Sequence, residues 1–341
     1  MVRNTVEVKQ LNKEKIIEAV QSRESCTKAE IARETGLSVA TCGTILNEMS
    51  ESGELVRMDQ EDAVIGRPAT LFAYNRDYRH VLAMRVEEDR NGSAIRCAVA
   101  DSLGYITRDE VTCPNSISYE EIETLIGTYL KEDPNIRAIG IGIPGVAQDG
   151  VIEYCDIKAL ENFDIGSKIK EKYPVEVIVG NDINFITYQL YNLLEDKSGN
   201  LAAIYFPSSG NGYVGSGYIL GGRILNGDSM LSGEVHYAAK GFGVTKEKQK
   251  SVMKTQASRC KFAAQILLTI ICTINPASAV LMGDGIEEAD LPLIEKECLE
   301  IISSKHIPKL SVNNNIEENY VRGVVRYTLD SMQYRVSMTS K

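Results

Sequence analysis

Apolar residues along this chain recur with two different periods, and the switches between them mark out its elements. From Thr27 to Met49 the spacing is helical. Thr27, followed three residues later by Glu30, carries a capping-box signature, and Ala29, Ile31 and Ala32 supply the packing positions of a short helix. Gly36 fits the left-handed residue that ends it and opens a turn. Leu37 begins the apolar plug of that turn, and Ser38 caps a second helix with Ile45, Leu46 and Met49 on one face. Its other face shows Thr41, Thr44 and Asn47. Leu55-Val56-Arg57 and Thr70-Leu71-Phe72 then read as two short strands, with Gly66-Arg67-Pro68 in the tip between them. Two helices, a tight turn and a two-stranded wing predict a winged helix-turn-helix, although the same helical hairpin also occurs in protein-interaction modules. In the DNA reading Ser38, Thr41, Thr44 and Asn47 are the candidate contacts in the major groove, and Arg67 enters or flanks a minor groove.

Beyond residue 75 the pattern becomes alternating α and β. His80–Val86, Ala94–Ala100 and Tyr105–Cys113 read as strands, with the turn Asp101-Ser102-Leu103-Gly104 between the second and third. Tyr119–Lys131 is helical. Ile136–Ile143 is a short, fully apolar run of strand length that ends at Pro144-Gly145. A strand over Val175–Val179 leads into Asn181-Asp182 and a helix that runs to Leu194. A second block follows. It has strands at Leu201–Phe206 and Tyr213–Leu220, a Gly221-Gly222 hairpin into Arg223–Leu225, and a long apolar helix Gln256–Ile274 stopped by Asn275-Pro276. After these come a strand Ala279–Met282, a helix Pro292–Ser303 and a last helix Tyr320–Tyr334. Two α/β blocks predict a two-lobed body. The expected division is a DNA-binding domain over 1–75, a first lobe over 76–182 joined by the C-terminal helix 320–341, and a second lobe over 183–319.

Charge alters the picture of the first domain. Residues 1–75 hold nine Lys/Arg and twelve Asp/Glu, a formal net of −3, and the second helix has no basic residue. Phosphate affinity must therefore come from Lys9, Lys13, Lys15, Lys28, Arg33, Arg57 and Arg67 gathered on one face, and from dimerisation. The 341-residue chain has a formal net charge of −10, which excludes a polybasic nucleic-acid coat. The N-terminus is polar and no apolar run reads as a membrane span, so a cytoplasmic protein without membrane contact is expected. The eight cysteines form no Cys-x-x-Cys pair and read as reduced, buried small hydrophobes.

Several separated segments share one family pattern in order and spacing. TGLSVATCGTILNEM and GRPATLFAYN, then IGIGIPGVAQDGVI, VIVGNDINFITYQL, GYVGSGYILGGRILNGDSMLSGEVHY and INPASAVLMGDGI, together resemble the repressor branch of the ROK family (repressors, open reading frames and kinases). The resemblance implies a two-lobed actin/hexokinase-like (ribonuclease H-like) α/β body behind a winged helix-turn-helix, with a sugar in the cleft. It also implies that Asp182 stands where the family's kinases keep their general base.

Sugar chemistry can also be weighed on the residues alone. Vicinal hydroxyls suit paired donors and acceptors, so Asn181, Asp182, Glu234 and His236 are the candidate ligand-binding set, with Pro144-Gly145 as a wall. Each has a plainer reading, as a helix cap for Asp182 or a solvated loop for Glu234 and His236. Asp182 opens a helix, whose N-terminus stabilises a carboxylate.

Two departures from the kinase pattern stand out. The first phosphate loop is replaced by Val86-Glu87-Glu88-Asp89-Arg90-Asn91, whose carboxylates repel phosphate, and Tyr213 stands where a small residue is expected in the second. The zinc-binding cysteine cluster that follows the family's histidine is missing, so neither metal nor cofactor is expected. The reading is a non-enzymatic transcriptional regulator, a repressor, that binds an operator in double-stranded DNA as a homodimer or dimer of dimers and answers a sugar-like effector. A sugar kinase with an appended DNA-binding domain, and a DNA-binding protein with a vestigial cleft, are the alternatives.

Overall fold

The computed structural model describes residues 5–58, 69–89, 92–207 and 213–335. The N-terminal unit has three helices, Thr5–Gln21, Lys28–Thr35 and Val39–Glu51, and a three-stranded sheet in which Leu71–Tyr74 lies between Cys26–Thr27 and Leu55–Met58. Both halves of the capping box form. The Thr27 hydroxyl accepts the Glu30 N–H at 3.3 Å and the Glu30 carboxylate accepts the Thr27 N–H at 2.7 Å, an arrangement worth about 1 kcal/mol. Gly36 takes the left-handed conformation at φ 69°, and the Ser38 hydroxyl accepts the Thr41 N–H.

The core of this unit joins Ile31, Cys42, Ile45, Leu46, Met49 and Phe72 to Ile16, Ile17 and Val20 of the first helix, which the sequence pattern did not mark as an element. That helix has a polar, Lys- and Glu-rich stretch before its one apolar patch. The wing strands pair from Leu55↔Tyr74 to Met58↔Leu71, and the wing tip with Arg67 lies outside the described residues.

Each lobe of the body has a five-stranded sheet of one topology. In the first, an antiparallel meander of His80–Asp89, Gly92–Ala100 and Ile106–Thr112 is extended by parallel strands Ile136–Ile143 and Glu176–Asn181 beside its first strand. In the second, Leu201–Tyr205, Gly215–Leu220 and Arg223–Ile224 form the meander, and Ser278–Met282 and Lys309–Val312 are the parallel additions. The shared order reveals a duplication that the two halves' sequences do not show.

Between the sheets lie two helices, Asp182–Asn192 and Ile316–Arg335. A single core takes in Val81, Ala83 and Ala138 of the first sheet, Phe185, Ile186, Tyr320 and Val324 of the helices, and Leu201, Ala203 and Val280 of the second sheet. The outer face of the first sheet is covered by Tyr119–Glu132, by Ile165–Lys172 and by a small sheet of Gly145–Gln148, Val151–Cys155 and Phe163–Asp164.

Helix Gln256–Ile274 covers the second sheet. It is long and apolar enough to cross a membrane, contrary to the expectation that no such run exists. Its Phe262, Ala263, Ile266, Leu267 and Ile270 are instead buried in the second-lobe core, which explains its composition. Six cysteines are buried as expected, but Cys113 and Cys272 are exposed.

The DNA-type domain is stitched to the first lobe. The Asn75 side chain donates to Gly53 O at 2.8 Å, and buried Glu54 holds Lys13 at 2.7 Å and accepts from the Tyr74 hydroxyl at 3.3 Å. On the lobe side, Ser102 bonds the backbone N–H and C=O of Arg79, Arg76 pairs with Asp101 at 3.2 Å, and Leu103 packs against the N-terminal core.

Candidate functional site

The exposed face of helix Val39–Glu51 is the first candidate surface. Thr44 is exposed, with its hydroxyl turned onto Ala40 O at 3.2 Å, and the Thr41 hydroxyl lies 2.9 Å from that of Ser38. Asn47 does not stand free. Its carbonyl oxygen accepts from Arg57 at 3.1 Å and faces the Lys28 ammonium at 3.5 Å. Two cations are thus gathered beside the polar face, one from the preceding helix and one from the wing. Of the other basic residues expected to supply phosphate affinity, Lys9 and Lys13 are paired with carboxylates. Glu48 holds Lys9 at 2.9 Å and Glu54 holds Lys13, since an ammonium close to a carboxylate pairs with it.

The second candidate site is the interlobe cleft. Its floor is set by register. Arg85, Gly142 and Gly180 form one row across three strands, and Asn181 and Asp182 come next. A side chain at Gly142 would collide with the Tyr320 ring, so glycine there lets the C-terminal helix sit directly on the strand.

Asp182 caps nothing beyond its neighbour, since its carboxylate accepts the Ile183 N–H at 2.7 Å. The helix N-terminus was expected to favour its charge, but burial dominates and, with Glu234 adding repulsion, carries its pKa up to about 7. The Ile183 N–H and Arg85 oppose that rise.

Asn181 is the true helix cap. Its Oδ1 accepts the Asn184 N–H at 3.1 Å and its Nδ2 donates to Gly145 O at 3.0 Å, which ties the Pro-Gly turn to the helix. Backbone groups of Asn184 and Gly145 thus take one acceptor and one donor position of the Asn181 side chain, which leaves a second N–H on its amide. Asn181 also lines a groove of about 420 Å³ between Val146, Asn184, Phe185, Asn226 and Tyr327 that neither Asp182, Glu234 nor His236 borders.

Glu234 and His236 stand together, with Glu234 Oε2 3.1 Å from His236 Nδ1. The pair is close without hydrogen-bond alignment, which leaves buried Nδ1 unbonded. The His236 ring stacks on Tyr213 at 4.6 Å and touches Tyr237 at 4.1 Å. Glu234 is close enough to Asp182 to raise its pKa, and His236 is held in an aromatic stack.

Sequence reasoning missed Arg85 and Tyr320. Arg85 pairs with Glu87 and with Glu317 at the start of the C-terminal helix, lies 5.3 Å from the Tyr320 ring, and has a buried Nε without a partner, as has the Tyr320 hydroxyl. A lone arginine in the apolar strand His80–Val86 was the available signal, whereas nothing local marks Tyr320.

Strand His80–Asp89 runs on into the segment that departs from the first phosphate loop, with Val86 to Asp89 paired to Ile95 to Gly92 along one edge, while pairing with Ile136–Ile143 along the other edge ends at Arg85. Alternation also corrects the reading of three carboxylates aimed at phosphate. Glu87 shares the Arg85 face, while Glu88 turns the other way and accepts from Ser93 at 3.0 Å and the Ile117 N–H at 3.0 Å. Among the described residues no three His, Cys, Asp or Glu side chains group to hold a metal ion.

A winged helix-turn-helix on a duplicated, two-lobed α/β body is the architecture these elements define. Residues 89–245 match the model of the ROK family, and residues 10–53 match that of a winged helix-turn-helix DNA-binding domain. Residues 89–245 are therefore similar to the ROK family, residues 10–53 to a winged helix-turn-helix DNA-binding domain, and the body shares the fold of solved ROK-family structures.

It is similar to the xylose repressor of Bacillus subtilis, at 22% identity over 53% of this chain and 48% of that protein. It is also similar to the transcriptional dual regulator NagC of Escherichia coli, at 22% identity over 52% and 45%. The chain spans about half the length of the curated relatives it matches. Among solved structures, a ROK family transcriptional regulator described as a homologue of the Escherichia coli MLC protein superposes with TM-score 0.72 and 16% identity, covering 97% of this chain and 99% of that one. The ROK hexokinase of Thermus thermophilus reaches 0.57 and 15%, covering 75% and 99%.

Proposed function

We propose that this protein is a transcriptional repressor that binds double-stranded DNA as a homodimer or dimer of dimers and senses a sugar or sugar derivative in its interlobe cleft. It works in the cytoplasm, where its DNA is, and is not an enzyme. The observation that carries this reading is the straight strand His80–Asp89. The body keeps the carboxylates Asp182 and Glu234, but where a phosphate donor would sit it has a β-strand that carries Glu87 and Glu88, whose charge would repel phosphate. Such a cleft can bind hydroxyls without phosphorylating them. The named repressor and regulator relatives support the same reading.

In the DNA domain, Ser38, Thr41, Thr44 and Asn47 line the face that enters a major groove, with Lys28 and Arg57 at its edge and Arg67 on the wing. The C-terminal helix offers the link between the sites. Its first turns hold Arg85 through Glu317 and floor the cleft with Tyr320. About 12 and 18 Å beyond Glu317, by the helical rise, Val325 and Leu329 border Gly104 in the turn whose Leu103 packs into the DNA domain. A ligand that prefers one lobe arrangement shifts the helix, and with it the two DNA domains of a dimer.

The test is a melting-temperature screen of the full chain against neutral sugars, sugar acids and sugar phosphates, with operator release measured for every hit. A ligand that shifts the melting temperature and releases DNA supports the sensor. DNA binding indifferent to every sugar favours a vestigial cleft. One observation favours the kinase alternative: an aspartate with a pKa near 7 suits a general base. ATP-dependent turnover of a sugar would establish it.

A further inference from the structure

The groove beside Asn181 has no duty in the sugar-sensing reading, and its shape follows from how the first sheet ends. Among the described residues, strand Glu176–Asn181 is the edge of that sheet. It pairs with Ile136–Ile143 in a register unbroken from Glu176 to Asn181. Its successive residues Val177, Ile178, Val179, Gly180 and Asn181 all line the groove. Side chains on one face of a strand alternate, so a cavity that touches each residue in turn runs along the strand's edge. There the main-chain N–H and C=O groups that Ile136–Ile143 does not take point outward.

The two faces of the sheet give the groove its walls. Ala147 lies with Val177 and Val179 in the outer core, and Phe185 and Tyr327 lie with Ile178 in the inner one. The Phe185 and Tyr327 rings meet edge to face at 5.5 Å. The second lobe contributes Ile224, Asn226 and Met230.

Asparagine amides supply further polar groups. Asn181 keeps an N–H beyond its bonds to Asn184 and Gly145. The Asn184 Nδ2 donates across to Asn226 Oδ1 of the second lobe at 3.3 Å, while its own buried Oδ1 lacks a partner. The charged residues of the lining are Lys170 and Asp149, opposite in sign, and Lys170 lies 3.7 Å from Glu176. The volume of about 420 Å³ is that of a small-molecule site.

A molecule lying in the plane of the sheet would meet main-chain groups and amides at its rim and apolar side chains above and below. That arrangement suits a flat ring system whose hydrogen-bonding groups lie in the ring plane, and the balance of charge suits a neutral one. A pyranose, with hydroxyls set at varied angles on a puckered ring, matches a strand edge less well.

We propose that this groove is a second ligand site, separate from the Asp182 cleft, for a neutral planar heterocycle of the nucleobase or nucleoside class. Because its walls come from both lobes, an occupant also fixes their spacing. The inference does not depend on sugar sensing.

The test titrates the full-length protein calorimetrically with adenosine, inosine, cytidine and uridine, with glucose as the non-planar comparison, and follows amide hydrogen exchange in the presence of each. At least one nucleoside should bind and slow exchange across 176–181. Asn226→Ala should weaken that binding about tenfold, the scale of one lost hydrogen bond. Lys170→Ala, which removes a rim charge, should leave it unchanged. Equal melting temperatures of the unliganded proteins show that both variants fold. The absence of binding by every nucleoside at millimolar concentration overturns the proposal. So does a nucleoside that protects 231–237 but not 176–181, since that places it in the other cleft, and so does glucose that protects 176–181 as strongly. An affinity that falls with Lys170→Ala, or that survives Asn226→Ala intact, refutes the neutral, amide-bound ligand.

Discussion

Replacing Asp182 with asparagine should stabilise the body in neutral and alkaline solution while doing nothing in acid. The carboxylate accepts the Ile183 N–H at 2.7 Å, a bond that an asparagine oxygen keeps, so the substitution removes charge and little else. Burial, with Glu234 nearby, raises its pKa from 3.8 to about 7. The native state therefore holds this proton more tightly than the unfolded chain does. Below about pH 4 both states are protonated and the group contributes no difference. Between about pH 4 and 7 the unfolded chain releases the proton first, so stability falls as pH rises, and above pH 7 the full cost of a buried anion remains. At 1.36 kcal/mol per pH unit that cost is on the order of 2–4 kcal/mol, the lower figure allowing for the partial exposure of the cleft floor.

Calorimetric unfolding of the wild type and Asp182→Asn from pH 4 to 8.5 measures it. The body's transition should coincide in the two proteins at pH 4 and separate by roughly 5–10 °C at pH 8. A difference that stays flat with pH, or a variant less stable at pH 8, would refute the argument that burial outweighs the helix N-terminus here. Infrared spectroscopy gives a local check: a protonated carboxyl band that fades near neutral pH and is absent from the variant.

Three other expectations follow from the geometry. Thr44→Ala should weaken specific operator binding about tenfold and spare non-specific binding, whereas Arg67→Ala should lower the slope of log affinity against log salt by about one; filter-binding titrations over a salt series read both, and unchanged affinity in both variants removes the assigned DNA face. Leu103→Ala should keep both DNA affinity and effector affinity but reduce the factor by which effector weakens DNA binding, roughly two- to tenfold, and an unchanged factor would show that the 101–105 turn does not couple the domains. A coupled assay for ATP-dependent phosphorylation over a broad sugar panel should stay at background, and robust turnover that vanishes in Asp182→Asn would establish the kinase alternative.

Much of the fold was legible because its signals are local. The capping box at Thr27 and Glu30, the left-handed Gly36 and the apolar strand Ile136–Ile143 are each dictated by a handful of neighbouring residues, and each formed where the pattern put it. Strand Lys309–Val312 and helix Lys246–Val252 were missed. The first is a four-residue edge addition made by pairing with Ser278–Met282, and the second has too few apolar positions to show a period. In the candidate site, residue types were legible but their duties were not. Asn181 and Asp182 look interchangeable in sequence. Only the approach of Gly145 O, from a turn 36 residues earlier, makes the asparagine a clip and leaves the aspartate facing the cleft. Glu87 and Glu88 read as one acidic patch until strand alternation sends them to opposite faces.

The same alternation explains how one substitution can serve two ends. A strand that continues to Asp89 sets Glu87 and Glu88 where the proposed reading has no phosphate donor, and it also carries Arg85 to the cleft floor with its charge facing Tyr320 and Glu317. A buried guanidinium needs carboxylates, and the one it draws from the C-terminal helix lies at that helix's first turn. In the proposed sensor the helix would thereby answer to whatever occupies the cleft: hydroxyls arriving at Asp182 and Glu234 would change the field around Arg85 and so the strength with which it holds Glu317. Because the far end of the helix borders Gly104, and Leu103 beside it packs in the DNA domain's core, any change in that hold is delivered to the DNA domain by a rigid rod rather than by a loop.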